Sequence, residues 1–195
     1  DYIIIKKANE IISELKDVSI FGGKLKISRK EQIKYLKDNA PLNNKILTLK
    51  KIIESRVKTF IEHQSFYTNN VDTLKQEAAA FLRNYLKILK RIEPISIYKE
   101  LFEDDYVYKS LYKNRYFSFV AQYTLKNLEI GYVEREDLAA ICYIKYMTDG
   151  ISHEKKYQHI FVDEAQDLSP LEFIVLKLVS QNNSMTIMGD MNQGI

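Results

Sequence analysis

Apolar positions recur at helical spacing over most of the chain, then change period near its end. From Tyr2 to about Lys16, the residues Ile4, Ala8, Ile11 and Leu15 mark one face of a helix. The segment 18–28, VSIFGGKLKIS, reads as a β-hairpin, with Gly22-Gly23 supplying the positive φ values of a two-residue primed turn. Ser28 and Glu31 have capping-box spacing and predict a helix start, and Asn39-Ala40-Pro41 breaks that helix. A longer helix carries Ile46, Leu49, Ile53, Val57 and Phe60 on one stripe. Another covers about 71–91 through Val71, Leu74, Ala78, Phe81, Tyr85 and Leu89, and Pro94 ends that region. Residues 98–123 are crowded with Tyr and Phe and predict short helices. Residues 135–150 predict a helix with Gly150 just past its end.

Residues 157–164, YQHIFVDE, then read as a buried strand. Residues 169–181 read as a helix with Ser169 as N-cap and Pro170 at its first position. Residues 184–190, SMTIMGD, read as a second strand. Strand, helix and strand with short connections predict a parallel βαβ unit. Parallel sheets are buried on both faces, so these two strands are expected to belong to a larger α/β domain.

Composition narrows the picture little. The chain has 195 residues, 46% hydrophobic and 28% charged, which suits a packed core and excludes global disorder. Its formal charge of +3 permits contact with a polyanion without demanding it. The single Cys142 excludes an internal disulfide framework and suits a reducing, cytoplasmic setting. No apolar run reaches membrane-spanning length and no signal-peptide pattern opens the chain, so no membrane partner is expected. The chain begins at Asp1 and stops two residues after Gln193, so it reads as an excised piece of a longer protein.

Candidate chemistry concentrates at the strand ends. In an open parallel sheet, ligands bind beyond the carboxyl ends of the strands. Asp163-Glu164 and Gly189-Asp190 both fall there. Adjacent carboxylates repel unless a cation neutralises them. Mg²⁺ takes one or two carboxylates together with waters and phosphates. One acid can hold the metal while its neighbour takes a proton from an attacking water, the Walker B arrangement of a nucleotide hydrolase. A solvated acidic loop would explain a bare Asp-Glu. It does not explain DEAQD, a helix and then GDMNQ in succession.

DEAQD followed by GDMNQ resembles motifs II and III of superfamily 1 helicases of the UvrD/Rep type. The context HIFVDEAQDLSPLEF and MTIMGDMNQGI is most similar to the HelD, or helicase IV-like, branch, as is the preceding EDLAAICYIKYMTDG. The sharp motifs cover about residues 135–195. The resemblance implies a fold that is mainly α with a small α/β part. Residues 1–152 would be a helical 1B-like insertion domain with the hairpin at about 18–28, and 153–195 an incomplete RecA-like parallel-sheet piece of the P-loop NTPase class. It implies that Asp163 coordinates the Mg²⁺ of bound ATP, that Glu164 is the general base, and that Gln193 senses the γ-phosphate. Gln166, Asp167 and Asp190 would support that site and link it to neighbouring motifs. It implies DNA as partner. Proteins of the HelD branch also engage RNA polymerase, which would make the helical region a protein-binding arm.

The sequence departs from the family pattern in two respects. A P-loop needs GxxxxGK[ST] to cradle phosphates, and none of the six glycines stands in that pattern. The arginine fingers of a second RecA-like domain are absent as well. Phosphoryl transfer depends on all these parts, so the chain alone is expected neither to bind ATP tightly nor to hydrolyse it.

Lys24, Lys26, Arg29 and Lys30 form a basic cluster around the hairpin. Phosphate contact and a solvated helix face both account for it. For Lys50, Lys51, Lys87, Lys90, Arg91, Lys155 and Lys156 the solvated face is expected. Tyr98, Phe102, Tyr106, Tyr108, Tyr112, Tyr116, Phe117, Phe119 and Tyr123 are expected to be core more than a stacking surface for bases. His63, His153 and His159 make no metal site, and Cys142 is expected to be buried packing.

Overall fold

The computed structural model describes residues 2–67, 70–104, 107 and 115–190. Its packing divides the chain into two units, Asp1–Ile92 and Glu93–Ile195. The change of sequence character near residue 152 therefore lies inside the second unit.

In the first unit, α1 (Tyr2–Glu14) leads into the hairpin β1 (Val18–Ile20) and β2 (Leu25–Ile27), followed by α2 (Arg29–Leu36), α3 (Leu42–Gln64) and α4 (Val71–Tyr85). The stripe read on α3 is the spine of the core: Ile46, Leu49, Ile53 and Val57 are all buried. The hairpin departs from expectation. Ile20 pairs with Leu25, leaving a four-residue loop in which Phe21, Gly22 and Gly23 all have positive φ. Phe21 adopts this unusual backbone because its ring is buried and stacks on Phe60 at 4.6 Å, while its N–H donates to Glu77 Oε1 at 2.7 Å. Helix α4 ends at Tyr85, short of the expected 91, and Leu89 is buried beyond it in the turn.

Polar groups lock this unit. Gln32 is fully buried, and its Nε2 donates to the carbonyls of Lys16 at 2.8 Å and Ile27 at 3.2 Å. Its Oε1 accepts the Tyr85 hydroxyl. Burial of that phenol raises its pKa to about 12. Ser28 caps α2 as expected, its side chain accepting Glu31 N–H. The Glu31 carboxylate does not return to the cap but pairs with Arg56 on α3.

In the second unit, α5 (Pro94–Glu103) packs against α6 (Arg115–Glu129) and α7 (Arg135–Asp149), and α7 against α8 (Pro170–Val179). Tyr98 is buried and donates to the buried Asp137 Oδ1 at 2.6 Å. Phe102 stacks on Phe117. The other described aromatics overturn the expected core: Tyr116, Phe119 and Tyr123 lie on one face of α6 and are exposed. Their spacing of three and four residues puts them on one side, away from the buried Ala121. Tyr106, Tyr108 and Tyr112 lie outside the described residues. Cys142 is exposed on α7, against the expectation of buried packing.

Two short parallel strands, β3 (Ile160–Val162) and β4 (Met185–Ile187), flank α8 in sequence, as the βαβ reading predicts. Their register pairs Ile160 with Met185 and Val162 with Ile187. β3 is not buried on both faces: Val162 is buried and Phe161 is 72% exposed. Successive strand residues point to opposite faces, so one face of this pair is uncovered. Among the described residues no helix is long and apolar enough to cross a membrane.

Candidate functional site

The chain bends sharply where β3 ends. Met188 N–H donates to Val162 O at 2.8 Å and Ala165 N–H to Met188 O at 2.9 Å, so the parallel ladder continues past both strands. Between these bonds Glu164 sits in the left-handed region, with φ 50° and ψ 45°. A non-glycine residue there is uncommon and strained, and such residues cluster at working sites. Asp163 Oδ1 accepts the Glu164 N–H at 2.9 Å and braces the bend. A single turn at Ala165–Asp167 follows, closed by Asp167 N–H on Glu164 O at 3.0 Å.

Helix α8 starts directly afterwards with a complete capping box. Ser169 Oγ accepts Glu172 N–H at 3.3 Å, and Glu172 Oε2 accepts Ser169 N–H at 2.7 Å. The bond from the Ser169 backbone N–H holds the Glu172 carboxyl below its ordinary pKa.

The geometry gathers most of the residues expected to act together. Asp163, Glu164, Asp167 and Asp190 are exposed at one end of the strand pair. Gln166 bridges two of the segments: its Nε2 donates to Glu164 Oε2 at 2.6 Å, and its Oε1 accepts Asp190 N–H at 3.1 Å. Asp167 turns the other way, lining a cleft of about 490 Å³ with Arg135, Glu136, Ser169 and Glu172. Gln193 lies outside the described residues.

Sequence reading placed Gly189 at the strand end but gave it no role of its own. A Cβ there would meet Gln166 Oε1 at 2.8 Å and both Cβ and N of Ala165 at 3.1 Å. A glycine immediately after a strand was the available signal.

The site suits Mg²⁺ as a partial ligand set. Among the described residues, no group of three or more His, Cys, Asp or Glu side chains could hold a metal alone. Asp163 uses Oδ1 within the bend, and its carboxylate stands exposed at the strand tip. One hard oxygen donor beside a phosphate-bearing ligand is what Mg²⁺ accepts. His159 is engaged elsewhere, its ring nitrogens bonded to Ser184 Oγ and Thr186 Oγ1.

The basic cluster divides. Lys24, Lys26 and Lys30 are exposed. Arg29 instead caps α1: Nε donates to Leu15 O at 2.9 Å and an Nη to Ile12 O at 3.0 Å. Lys34 and Lys37, also unremarked in the sequence, join Arg29 and Lys30 around a cleft of about 960 Å³ that Asp17 and Asp38 line as well. The lysines' spacing of four and three along α2 and its C-cap was the signal.

Residues 5–195 match the family model of the UvrD/REP helicase N-terminal domain. The chain belongs to this family. A comparison with curated proteins returned no match. UvrD/REP proteins are ATP-dependent DNA helicases, so membership brings ATP and DNA to this fold as the family's cofactor and substrate. The mainly helical architecture with a small parallel strand pair is consistent with a part of the UvrD/REP N-terminal domain.

Proposed function

We propose that this chain is part of an ATP-driven DNA motor in which the β3–β4 tip is the hydrolytic end. The observation that carries the reading is the gathering of Asp163, Glu164 and Asp190 at the carboxyl ends of two parallel strands, with Glu164 in strained backbone. In this reading DEAQD and GDMNQ serve as motifs II and III. Residues 1–152 serve as a 1B-like insertion, and the closest branch is HelD.

Mg²⁺, when bound, would supply a counter-charge to these carboxylates and polarise phosphoryl oxygens. Asp163 would hold that ion. Glu164 takes the proton of the attacking water at its carboxylate, and Gln193 senses the γ-phosphate. Lys24, Lys26 and Lys30 contact DNA phosphates without regard to sequence, and Lys34 and Lys37 extend that surface along α2.

ATP hydrolysis by the intact protein, with and without single-stranded DNA, tests the reading. Stimulation by DNA that is lost in Asp163→Ala and in Glu164→Gln is expected. The 195-residue chain alone is expected to hydrolyse no ATP, because no glycine stands in a GxxxxGK[ST] loop. Turnover by the chain alone that Glu164→Gln abolishes overturns that expectation.

A second reading makes the helical region an arm for a protein partner, RNA polymerase in the HelD branch. The exposed face of Tyr116, Phe119 and Tyr123 favours it, because contiguous exposed aromatics mark interfaces. Hydrolysis that depends on Glu164 but ignores DNA would select this reading.

A further inference from the structure

His159 stands immediately before β3 and reaches across to the neighbouring strand. Its Nδ1 lies 2.7 Å from Ser184 Oγ and its Nε2 lies 2.9 Å from Thr186 Oγ1. A hydroxyl both donates and accepts, so this pair suits the ring whichever nitrogen carries the proton. Ser184 and Thr186 alternate with Met185 and face the same way. They share the uncovered face with Phe161, which pairs with Thr186 in the register and meets the His159 ring edge-on at 4.6 Å. Strands as short as β3 and β4 carry few ladder bonds to hold that register. Burial excludes a slip of one residue, which would turn Val162 outward. A slip of two residues leaves every side chain on its own face, so burial gives no defence against it. The imidazole does exclude it. Moved two residues along β4, His159 would face Thr186 and Met188, and a thioether is at most a weak acceptor. Moved two residues back, it would face Ser184 and Asn182, and Asn182 lies outside the strand in left-handed backbone at φ 53°.

We infer that His159 is a positioning residue that locks β3 against β4 in the observed register. The lock sets the height at which the acidic bend of Asp163 and Glu164 leaves the strand pair. It acts through the strand and touches no reacting atom. Its consequence for hydrolysis rests on the function proposed above. Its test does not.

The test is NMR on the 195-residue chain and its variants. His159→Phe keeps a ring against Phe161 and removes both nitrogens. In it, the Ile160 N–H on Ser184 O and the Met188 N–H on Val162 O are expected to exchange roughly tenfold faster, the worth of two modest net hydrogen bonds. Backbone contacts of a two-residue slip, Ile160 with Ile187 or Val162 with Met185, are expected to appear beside the native pairs. His159→Gln again offers a donor and an acceptor and is expected to restore native exchange and a single register. Ser184→Ala combined with Thr186→Val is expected to reproduce His159→Phe, and adding His159→Phe to that pair is expected to change little more, the mark of coupled residues. Faster exchange within one native register would show a residue that lends stability without setting register, and it overturns the inference. Unchanged exchange in His159→Phe overturns it as well, and so does slippage there that the two hydroxyl substitutions do not share. Where the variants do not fold, the imidazole of the unmutated chain decides. A ring N–H that exchanges more slowly than in free histidine is expected, and free exchange overturns the inference. Absence of ATP hydrolysis in the intact protein would sink the proposed function and leave this result standing.

Discussion

Gly189 stands so close to Gln166 that a Cβ at position 189 would lie 2.8 Å from Gln166 Oε1. The carboxamide could rotate away, but Ala165 N, at 3.1 Å, belongs to the backbone and is held on Met188 O. Gly189→Ala is therefore expected to destabilise the second unit by about 1–3 kcal/mol through overpacking. Removing the flexible neighbour as well, in Gly189→Ala with Gln166→Ala, is expected to recover little of that loss. Urea midpoints of the two variants check this; full recovery in the double variant would show that only the side chain matters.

Tyr85 gives the first unit an alkaline limit. Its folded pKa of about 12 lies above the ordinary value of 10.0, so its contribution is fully present below pH 10. It fades as pH rises through the folded value, by up to about 2 kcal/mol. Urea midpoints at pH 8 and pH 11 should separate more for the unmutated chain than for Tyr85→Phe. Tyr85→Phe is also expected to cost about 1–3 kcal/mol at neutral pH, because Gln32 Oε1 is left buried without its donor.

The capping box of α8 behaves in the opposite sense. Glu172 has its carboxyl pKa lowered, so its stabilisation is present above the ordinary glutamate value of 4.5 and is lost as pH falls below it. Acid titration of helicity should lose this component in Glu172→Gln. Ser169→Ala is expected to cost about 0.5–2 kcal/mol near neutral pH, measured by urea denaturation.

The hairpin cations should separate into two kinds. Arg29→Ala is expected to lower stability by about 1–3 kcal/mol, because two carbonyls of the α1 terminus lose their donor. Lys24→Ala, Lys26→Ala and Lys30→Ala are expected to leave stability unchanged. Each should instead flatten the salt dependence of single-stranded DNA binding by about 0.7 in log–log slope. Binding isotherms between low and moderate salt, beside urea midpoints, make the comparison. A lysine variant with an unchanged slope removes that residue from the phosphate surface.

What the sequence made legible was local. The α3 stripe needed only periodicity, and the strand–helix–strand run needed only a change of period and a Ser-Pro start. The second of these readings suffices to bring Asp163 and Asp190 to one end of a sheet. Three of the misreadings involve distant partners. Phe21 takes a positive φ because Phe60 and Glu77 receive it. Glu31 leaves its cap because Arg56 stands opposite it on α3. Arg29 looked like a free cation because nothing in its own segment shows that the end of α1 returns to it. The aromatic run looked like core because hydrophobic density does not reveal which face of α6 is covered. The Gln166 bridge falls between these cases. The motif made Gln166 a candidate, but its two partners lie on segments that only the fold brings together.

Cys142 is the only thiol in the chain and projects from α7 into solvent. A maleimide dye or nitroxide should therefore attach once per molecule, with no cysteine to remove first. The labelled helix packs on α8, whose first turn follows the acidic bend directly. The native sequence thus carries its own spectroscopic reporter next to the element that the proposed chemistry would disturb.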